Sequence, residues 1–257
     1  MNPLLDLSAH PVIAHRGASA YAPENTLPAF ELALEQGADA LELDVRLTRD
    51  GAAVVMHDET VDRTTSLTGP VRSHTLAELR LADAGAWFTP DRGRTHPFAG
   101  AGVRVPTLAE VLWSFPTVPV LIEVKEPEVQ EAVRRVLMEA NATARCVVAS
   151  EHAGALALFR QGAFVCGACA SEIGALYRAA LLRRKLPACR HGLLSVPLRY
   201  RGLTVPTRRF VAAARSQGSP VHVWTVNRAS TARRLWKRGV AGIVTNRPDV
   251  IRSARLP

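Results

Sequence analysis

Two carboxylates stand two residues apart in the run Ala40-Leu41-Glu42-Leu43-Asp44-Val45. Successive side chains of a β-strand alternate faces, so Glu42 and Asp44 share one side while Leu41, Leu43 and Val45 pack on the other. Like charges that close raise one another's pKa and resist desolvation. The pair is therefore either solvated at a strand end or neutralised by a cation, and a hard divalent metal is the natural guest. Glu-x-Asp alone does not separate the two readings. Its neighbours do. Val12-Ile13-Ala14-His15-Arg16-Gly17 upstream and Val54-Val55-Met56-His57-Asp58 downstream are also apolar runs that stop in ionisable residues. Barrels and open α/β sheets place their sites in this way, at the carboxyl ends of strands.

A third carboxylate follows in Val120-Leu121-Ile122-Glu123-Val124-Lys125, where Glu123 and Lys125 share a face. The two can form a stabilising ion pair. Beside Glu42 and Asp44, however, Glu123 completes an oxygen-rich set suited to Mg2+ or Ca2+ rather than zinc. Lys125 and Arg16 offer cations for an anionic group, Arg16 with the fork that suits phosphate. His15 and His57 are able to exchange a proton near neutral pH. A single such histidine is more often structural; together these residues make a full set for metal-assisted phosphoryl transfer.

The elements that must position them alternate from end to end. Strands are expected at 11–15, 40–48, 119–125, 146–150, 164–169, 192–198, 221–226 and 242–245, with Asp50-Gly51 turning 53–57 back as a hairpin. Helices are expected at 26–36, capped by Asn25 and closed by Gly37, and at 108–115, 128–140, 153–161, 173–184, 207–217 and 230–238. Eight parallel-type strands close a TIM-type (β/α)8 barrel, and 257 residues suit one barrel domain, 1–257. Residues 59–105 fit the rhythm poorly and read as a small insertion at the mouth of the site, with a short helix near 75–81.

Hydrophobic residues make up 47% and charged ones 21%, an ordinary globular composition, and no apolar run reaches the roughly 18 residues of a membrane span. Residues 1–10 have neither a basic start nor a long apolar middle, so the expected location is the cytoplasm. Cys146, Cys166, Cys169 and Cys189 lack a second pair at zinc spacing and read as small buried hydrophobes in a reducing compartment. The net charge of +9 is uneven: residues 178–257 hold 18 Lys and Arg against Asp249 alone. Such a flank is either a solvated, arginine-biased surface or an attraction to an anionic membrane surface; no nucleic acid partner is expected.

Several segments taken in order resemble the glycerophosphodiester phosphodiesterase family. They are His15-Arg16-Gly17, Pro23-Glu24-Asn25-Thr26, Leu41-Glu42-Leu43-Asp44-Val45, His57-Asp58, Arg63-Thr64-Thr65, Glu123-Val124-Lys125 and Trp224-Thr225-Val226-Asn227. The resemblance runs from about Pro11 to Asp249. It implies a TIM-type barrel, a divalent ion held by Glu42, Asp44 and Glu123, and acid–base catalysis by His15 and His57. The implied reaction is hydrolysis of a small phosphodiester carrying a glycerol arm, with attack by the glycerol 2-hydroxyl. Trp224 is expected either to lie against the glycerol or to pack the barrel top. Asn246 stands where Asp is common in the family and Val124 where Ile is usual; neither coincides with a proposed ligand, so the site is expected to be unaffected. Two other classes remain. A metal-dependent aldolase or enolising lyase would not require two histidines placed as acid and base, and a non-catalytic lipid- or nucleic-acid-binding barrel would have no use for them.

Overall fold

The structure, a computed structural model, describes residues 2–188 and 191–255, so Cys189 lies outside the described residues. In chain order its first half holds β1 (Val12–His15), α1 (Leu27–Glu35), β2 (Ala40–Leu47), β3 (Ala53–Val55), α2 (Leu76–Leu79), α3 (Leu108–Ser114), β4 (Val120–Val124), α4 (Gln130–Glu139) and β5 (Cys146–Ala149). The second half holds β6 (Val165–Cys166), α5 (Ala170–Leu181), β7 (Leu194–Pro197), β8 (Arg199–Tyr200), β9 (Leu203–Thr204), α6 (Arg208–Ser216), β10 (Val221–Trp224), α7 (Ala229–Trp236), β11 (Gly242–Thr245) and α8 (Pro248–Arg252).

Eight strands run parallel in the order β6-β5-β4-β2-β1-β11-β10-β7. The two ends meet through the parallel bridge of Gly167 with Leu193, where Ala168 N donates to Leu193 O at 2.9 Å and Gly192 N to Cys166 O at 2.7 Å. The sheet thus closes as a TIM-type barrel, and β3 lies antiparallel on the end of β2, with Val55 opposite Val45.

Strand alternation sorts the side chains into layers. Leu41, Leu43 and Val45 share one apolar layer with Ile122, Phe30, Leu108 and Leu112, between sheet and helices. Ile13, Ala40, Leu121, Val147, Leu193 and Val244 form a separate inner cluster with Leu4 of the N-terminal 3-10 turn. Glu42 and Asp44 take the inner face because burying Leu41, Leu43 and Val45 under helices leaves no other. His222 on β10 is also buried, and its Nε2 donates to Leu4 O at 2.8 Å, tying the turn to the barrel floor.

Residues 59–105 contribute no barrel strand; they carry a 3-10 turn and α2 and pack Val61, Val71, Leu79, Val103 and Val105 against Val54 and Met56. Three expectations need correction. Residues 153–161 hold only a 3-10 turn, Ala153–Leu156. There the Gln130 side chain intervenes, its Oε1 accepting from Leu158 N at 2.9 Å and its Nε2 donating to Gly154 O at 3.1 Å, which replaces helical pairing. Helix α5 starts at Ala170 and ends at Leu181, because Glu172 reaches back to Cys169 N at 2.9 Å and caps it early; Arg183, Arg184 and Lys185 fall beyond the helix. The hairpin β8–β9 was not expected. Its turn residues Arg201 and Gly202 both have positive φ, 47° and 82°, a primed turn without the usual Asn-Gly signature. The three described cysteines are buried and free, as expected. Among the described residues no helix is long and apolar enough to cross a membrane.

Candidate active site

The register of three neighbouring strands assembles the site: His15 lies opposite Glu42, and Asp44 opposite Glu123. One carboxylate oxygen from each of Glu42, Asp44 and Glu123 falls within 4.8 Å of the others. Lys125 Nζ sits 2.8 Å from both Asp44 Oδ1 and Glu123 Oε1. Just past β1 the chain turns sharply, with Arg16 at φ 57° and Gly17 at φ 82°; a Cβ on Gly17 would run into the backbone of Ala29. That turn aims Arg16 N at Glu42 Oε2, 3.1 Å away, and brings Arg16 Nε to 3.1 Å from Asp44 Oδ2. Arg16 Nη1 pairs with Glu24 Oε1 at 2.9 Å.

Electrostatics differ sharply across the three carboxylates. Burial, with the like charges of Asp44 and Glu123, drives the Glu42 carboxyl well above its ordinary range. Burial also opposes ionisation of Asp44, but Lys125 and Arg16 outweigh it and hold the group low. Glu123 is raised by burial and by Asp44, with Lys125 partly offsetting them. Three carboxylates face Arg16 and Lys125, and Arg16 is shared with Glu24, so negative charge is in surplus at this end of the barrel. An all-oxygen donor set with surplus negative charge fits a hard divalent ion.

The two histidines are held differently. His15 Nδ1 faces Asn246 Oδ1 at 2.7 Å; an amide oxygen only accepts, so Nδ1 carries the proton and Nε2 the lone pair. Burial, seconded by the Arg16 charge, pushes His15 down to about 4, against the Asn246 bond. His57 Nδ1 lies 2.6 Å from Asp58 Oδ1, and Asp58 is held ionised, well below the usual carboxylate range, chiefly by the Arg63 hydrogen bond at 2.6 Å. Arg63 also reaches Glu24 at 2.7 Å, so ion pairs run unbroken from Lys125 through Asp44, Arg16, Glu24, Arg63 and Asp58 to His57. Trp224 ends β10, packs on the inner apolar cluster, and with Glu42 and Glu123 lines a cavity of about 420 Å³.

All eight candidate residues therefore gather at one end of the barrel or on the cavity beside it. The expectation that Asn246 leaves the site unaffected is corrected, since it holds His15. Asn25 is not the helix cap, a position taken by Thr26; at φ 59° it donates from Nδ2 to Asp44 Oδ2 at 2.9 Å. Glu24 and Arg63 were visible only as members of motifs, and their pairing across 39 residues has no local signal.

A parallel barrel that gathers three carboxylates, an arginine, a lysine and two histidines at one mouth is built as a phosphodiester hydrolase. A sequence profile described as the glycerophosphoryl diester phosphodiesterase family matches residues 15–250. A glycerophosphodiester phosphodiesterase of Caldanaerobacter subterraneus is 37% identical over 247 residues, covering 93% of this chain and 95% of the relative. The glycerophosphoryl diester phosphodiesterase domain of a Mycobacterium tuberculosis protein shares the fold at TM-score 0.85 and 22% identity, covering 95% of this chain and 98% of that one. An Oleispira antarctica phosphodiesterase, solved in complex with its product sn-glycerol-3-phosphate, aligns at TM-score 0.74 and 27% identity over 95% of this chain and 96% of its own. The chain belongs to the glycerophosphoryl diester phosphodiesterase family, and it is an enzyme, a phosphoric diester hydrolase.

Proposed function

We propose that the enzyme hydrolyses glycerophosphodiesters to glycerol 3-phosphate and the free alcohol, with one divalent ion, Mg2+ or Ca2+, on Glu42, Asp44 and Glu123. The observation that carries this is the convergence of those three carboxylates, within 4.8 Å, on strands that also deliver His15. The product in the Oleispira complex supports the same product here. When bound, the metal would neutralise charge on the phosphate oxygens.

The chain's own groups handle the protons. His15 is neutral at physiological pH with its Nε2 lone pair available, which suits it to take the proton of the attacking hydroxyl. His57 donates a hydrogen bond from Nδ1 to Asp58 Oδ1 at 2.6 Å, which fixes the ring and leaves Nε2 as the nitrogen to protonate the departing alcohol. In the net reaction the oxygen of water joins phosphorus, the bond from phosphorus to the alcohol oxygen breaks, and the alcohol leaves with a proton. The route implied by the resemblance, through the substrate's 2-hydroxyl and a cyclic phosphate, uses the same two rings in turn. Arg16 is engaged by Asp44 and Glu24 through Nε and Nη1, so it would meet phosphate with Nη2 and with its charge, beside Lys125. Trp224 would cover the glycerol.

In this reading residues 1–257 work as one barrel domain, with 59–105 as an insertion that brings Arg63 to Asp58, the partner of His57. The enzyme acts in the cytoplasm on a small-molecule diester, and its basic flank is free to meet an anionic membrane surface. The test is release of glycerol 3-phosphate from glycerophosphocholine or glycerophosphoethanolamine, before and after EDTA, with Mg2+ and Ca2+ restored in parallel. Turnover undiminished by EDTA would remove the metal from the reading, and no release from either substrate would remove the reaction.

A further inference from the structure

The cavity beside the carboxylates is larger and more apolar than a glycerol arm requires. It is one continuous space of about 420 Å³ whose lining includes Glu42, Glu123 and Trp224 and also Tyr200 and Leu203 of the β8–β9 hairpin. Between them Leu121, Ile173, Pro197 and Val205 form the apolar walls, Ser150, Glu151, Arg178 and Ser195 are the polar members, and apolar surface dominates. The hairpin is a built wall: Tyr177 Oη donates to Thr204 O at 3.2 Å, and Val205 N to Leu198 O at 3.3 Å. Glycerol and short polar alcohols need hydrogen-bond partners, and the apolar stretch of these walls offers them none. It stabilises an aliphatic chain, by roughly threefold to fourfold in affinity for each methylene withdrawn from water.

We infer that the preferred substrate carries an acyl chain on its glycerol arm, making it a lysophospholipid whose chain lies in this cavity. This rests on the reading of the site given above. Trp224 assigns the chain to the glycerol side, because it lines the cavity where the glycerol is placed. A chain on the first glycerol carbon leaves the 2-hydroxyl intact, and the bonds made and broken are unchanged: water supplies hydroxyl to phosphorus and a proton to the departing alcohol, so acylated glycerol keeps the phosphate. The outer wall suits a lipid source. Tyr200 and Leu203 are 59% and 60% exposed, and Arg199 and Arg201 flank Tyr200, an apolar tip with cations beside it.

The experiment compares kcat/KM for glycerophosphocholine with 1-acyl-glycerophosphocholines of four to ten carbons, all kept below their micelle concentrations, and with glycerol phosphodiesters of matching straight-chain alcohols. The expected result is a rise of at least tenfold from glycerophosphocholine to the eight-carbon acyl substrate. Gly174→Leu projects a large side chain from α5 into the cavity, and the Cβ itself would meet nothing nearer than Arg178 Nη1 at 3.8 Å. It should flatten the chain-length series, as should Leu203→Asn on the exposed hairpin if Gly174→Leu does not fold. Hydrolysis of glycerophosphocholine with no rise along the acyl series overturns the inference while leaving the phosphodiesterase reading standing. A rise confined to the straight-chain alcohol series overturns the assignment to the glycerol arm. No hydrolysis of any substrate overturns the reading itself.

Discussion

Replacing Asn246 by Asp changes one atom group beside His15 and asks which proton that ring handles. In the native site Asn246 Oδ1 accepts from His15 Nδ1 at 2.7 Å, and burial holds the ring at about 4. A carboxylate in the same place keeps the hydrogen bond and the tautomer but adds a negative charge that favours imidazolium. For charge centres about 4 Å apart the attraction is about 4 kcal/mol at an effective dielectric near 20 and about 1 kcal/mol in water. His15 is partly reached by solvent, so an intermediate value applies, roughly 1 to 2 pK units at about 1.4 kcal/mol each. If His15 is the base, it must be neutral to work. The acid limb of kcat/KM should then move up by about 1 to 2 pH units, with roughly twofold to tenfold activity lost at pH 5 relative to the variant's own plateau. Asn246→Ala, which removes the anchor without adding charge, should lower kcat at every pH and leave the limb low. The assay is glycerol 3-phosphate release with metal present, from pH 4 to 9. An unmoved acid limb with a raised alkaline limb in Asn246→Asp would refute the assignment, because it is the behaviour of an acid that must stay protonated.

His57→Ala should lower kcat by a factor on the order of 10² to 10⁴ without altering the fold, the range for losing a general acid or base, and near-native turnover in a folded variant would end its role. Glu42→Gln should weaken divalent-ion binding by roughly tenfold or more in calorimetry. In EDTA the same variant should be the more stable protein at neutral pH. A carboxyl whose folded pKa is raised binds more protons folded than unfolded, so its contribution is lost as pH rises above the ordinary Glu value. Melting in EDTA at pH 7 should therefore place Glu42→Gln above wild type, by about 2 to 4 °C for each kcal/mol relieved, and added metal should reverse the order. His222 is fully buried, and burial pushes it down to about 4; because the unfolded ring binds a proton first, stability falls as pH drops from about 6.5 to 4, by about 3 kcal/mol in all. Urea titrations at pH 7 and 4.5 should show a shallower loss in His222→Gln, and equal slopes would exclude the group.

The parts that were legible before folding share one property: they are set by side-chain alternation along a single strand. Glu42 with Asp44 had to share a face once Leu41, Leu43 and Val45 were buried on the other, as did Glu123 with Lys125 opposite Ile122 and Val124, and eight parallel strands were enough to expect a closed barrel. What was hidden depends on partners far away in sequence. The contact of Asn246 with His15 spans 231 residues, and nothing local to either predicts it. Asn25 misled for a local reason, since Asn is a common cap; here its left-handed backbone is committed to Asp44 instead, and Thr26 takes the cap position without a side-chain bond. The short hairpin β8–β9 was missed because two-residue strands have no period to read, yet it walls the cavity on which substrate choice would turn.

The chain of ion pairs from Lys125 to His57 gives these separate observations a common consequence. Each anion in it touches two cations or a cation and a ring: Asp44 lies between Lys125 and Arg16, Glu24 between Arg16 and Arg63, Asp58 between Arg63 and His57. A buried ion pair is weak evidence for stability, because desolvation offsets much of the Coulomb gain, but a broken one is costly. The network is therefore better understood as positioning than as reinforcement. It holds Asp44 ionised while burial and like charge drive the Glu42 carboxyl beside it up, and it keeps Asp58 ionised behind His57 while His15 is held by a neutral amide. One mouth thus contains two carboxylates in unlike electrostatic settings and two imidazoles on unlike partners, His15 on a neutral amide and His57 on a carboxylate, and in the proposed reaction that difference would let one ring take a proton and the other give one.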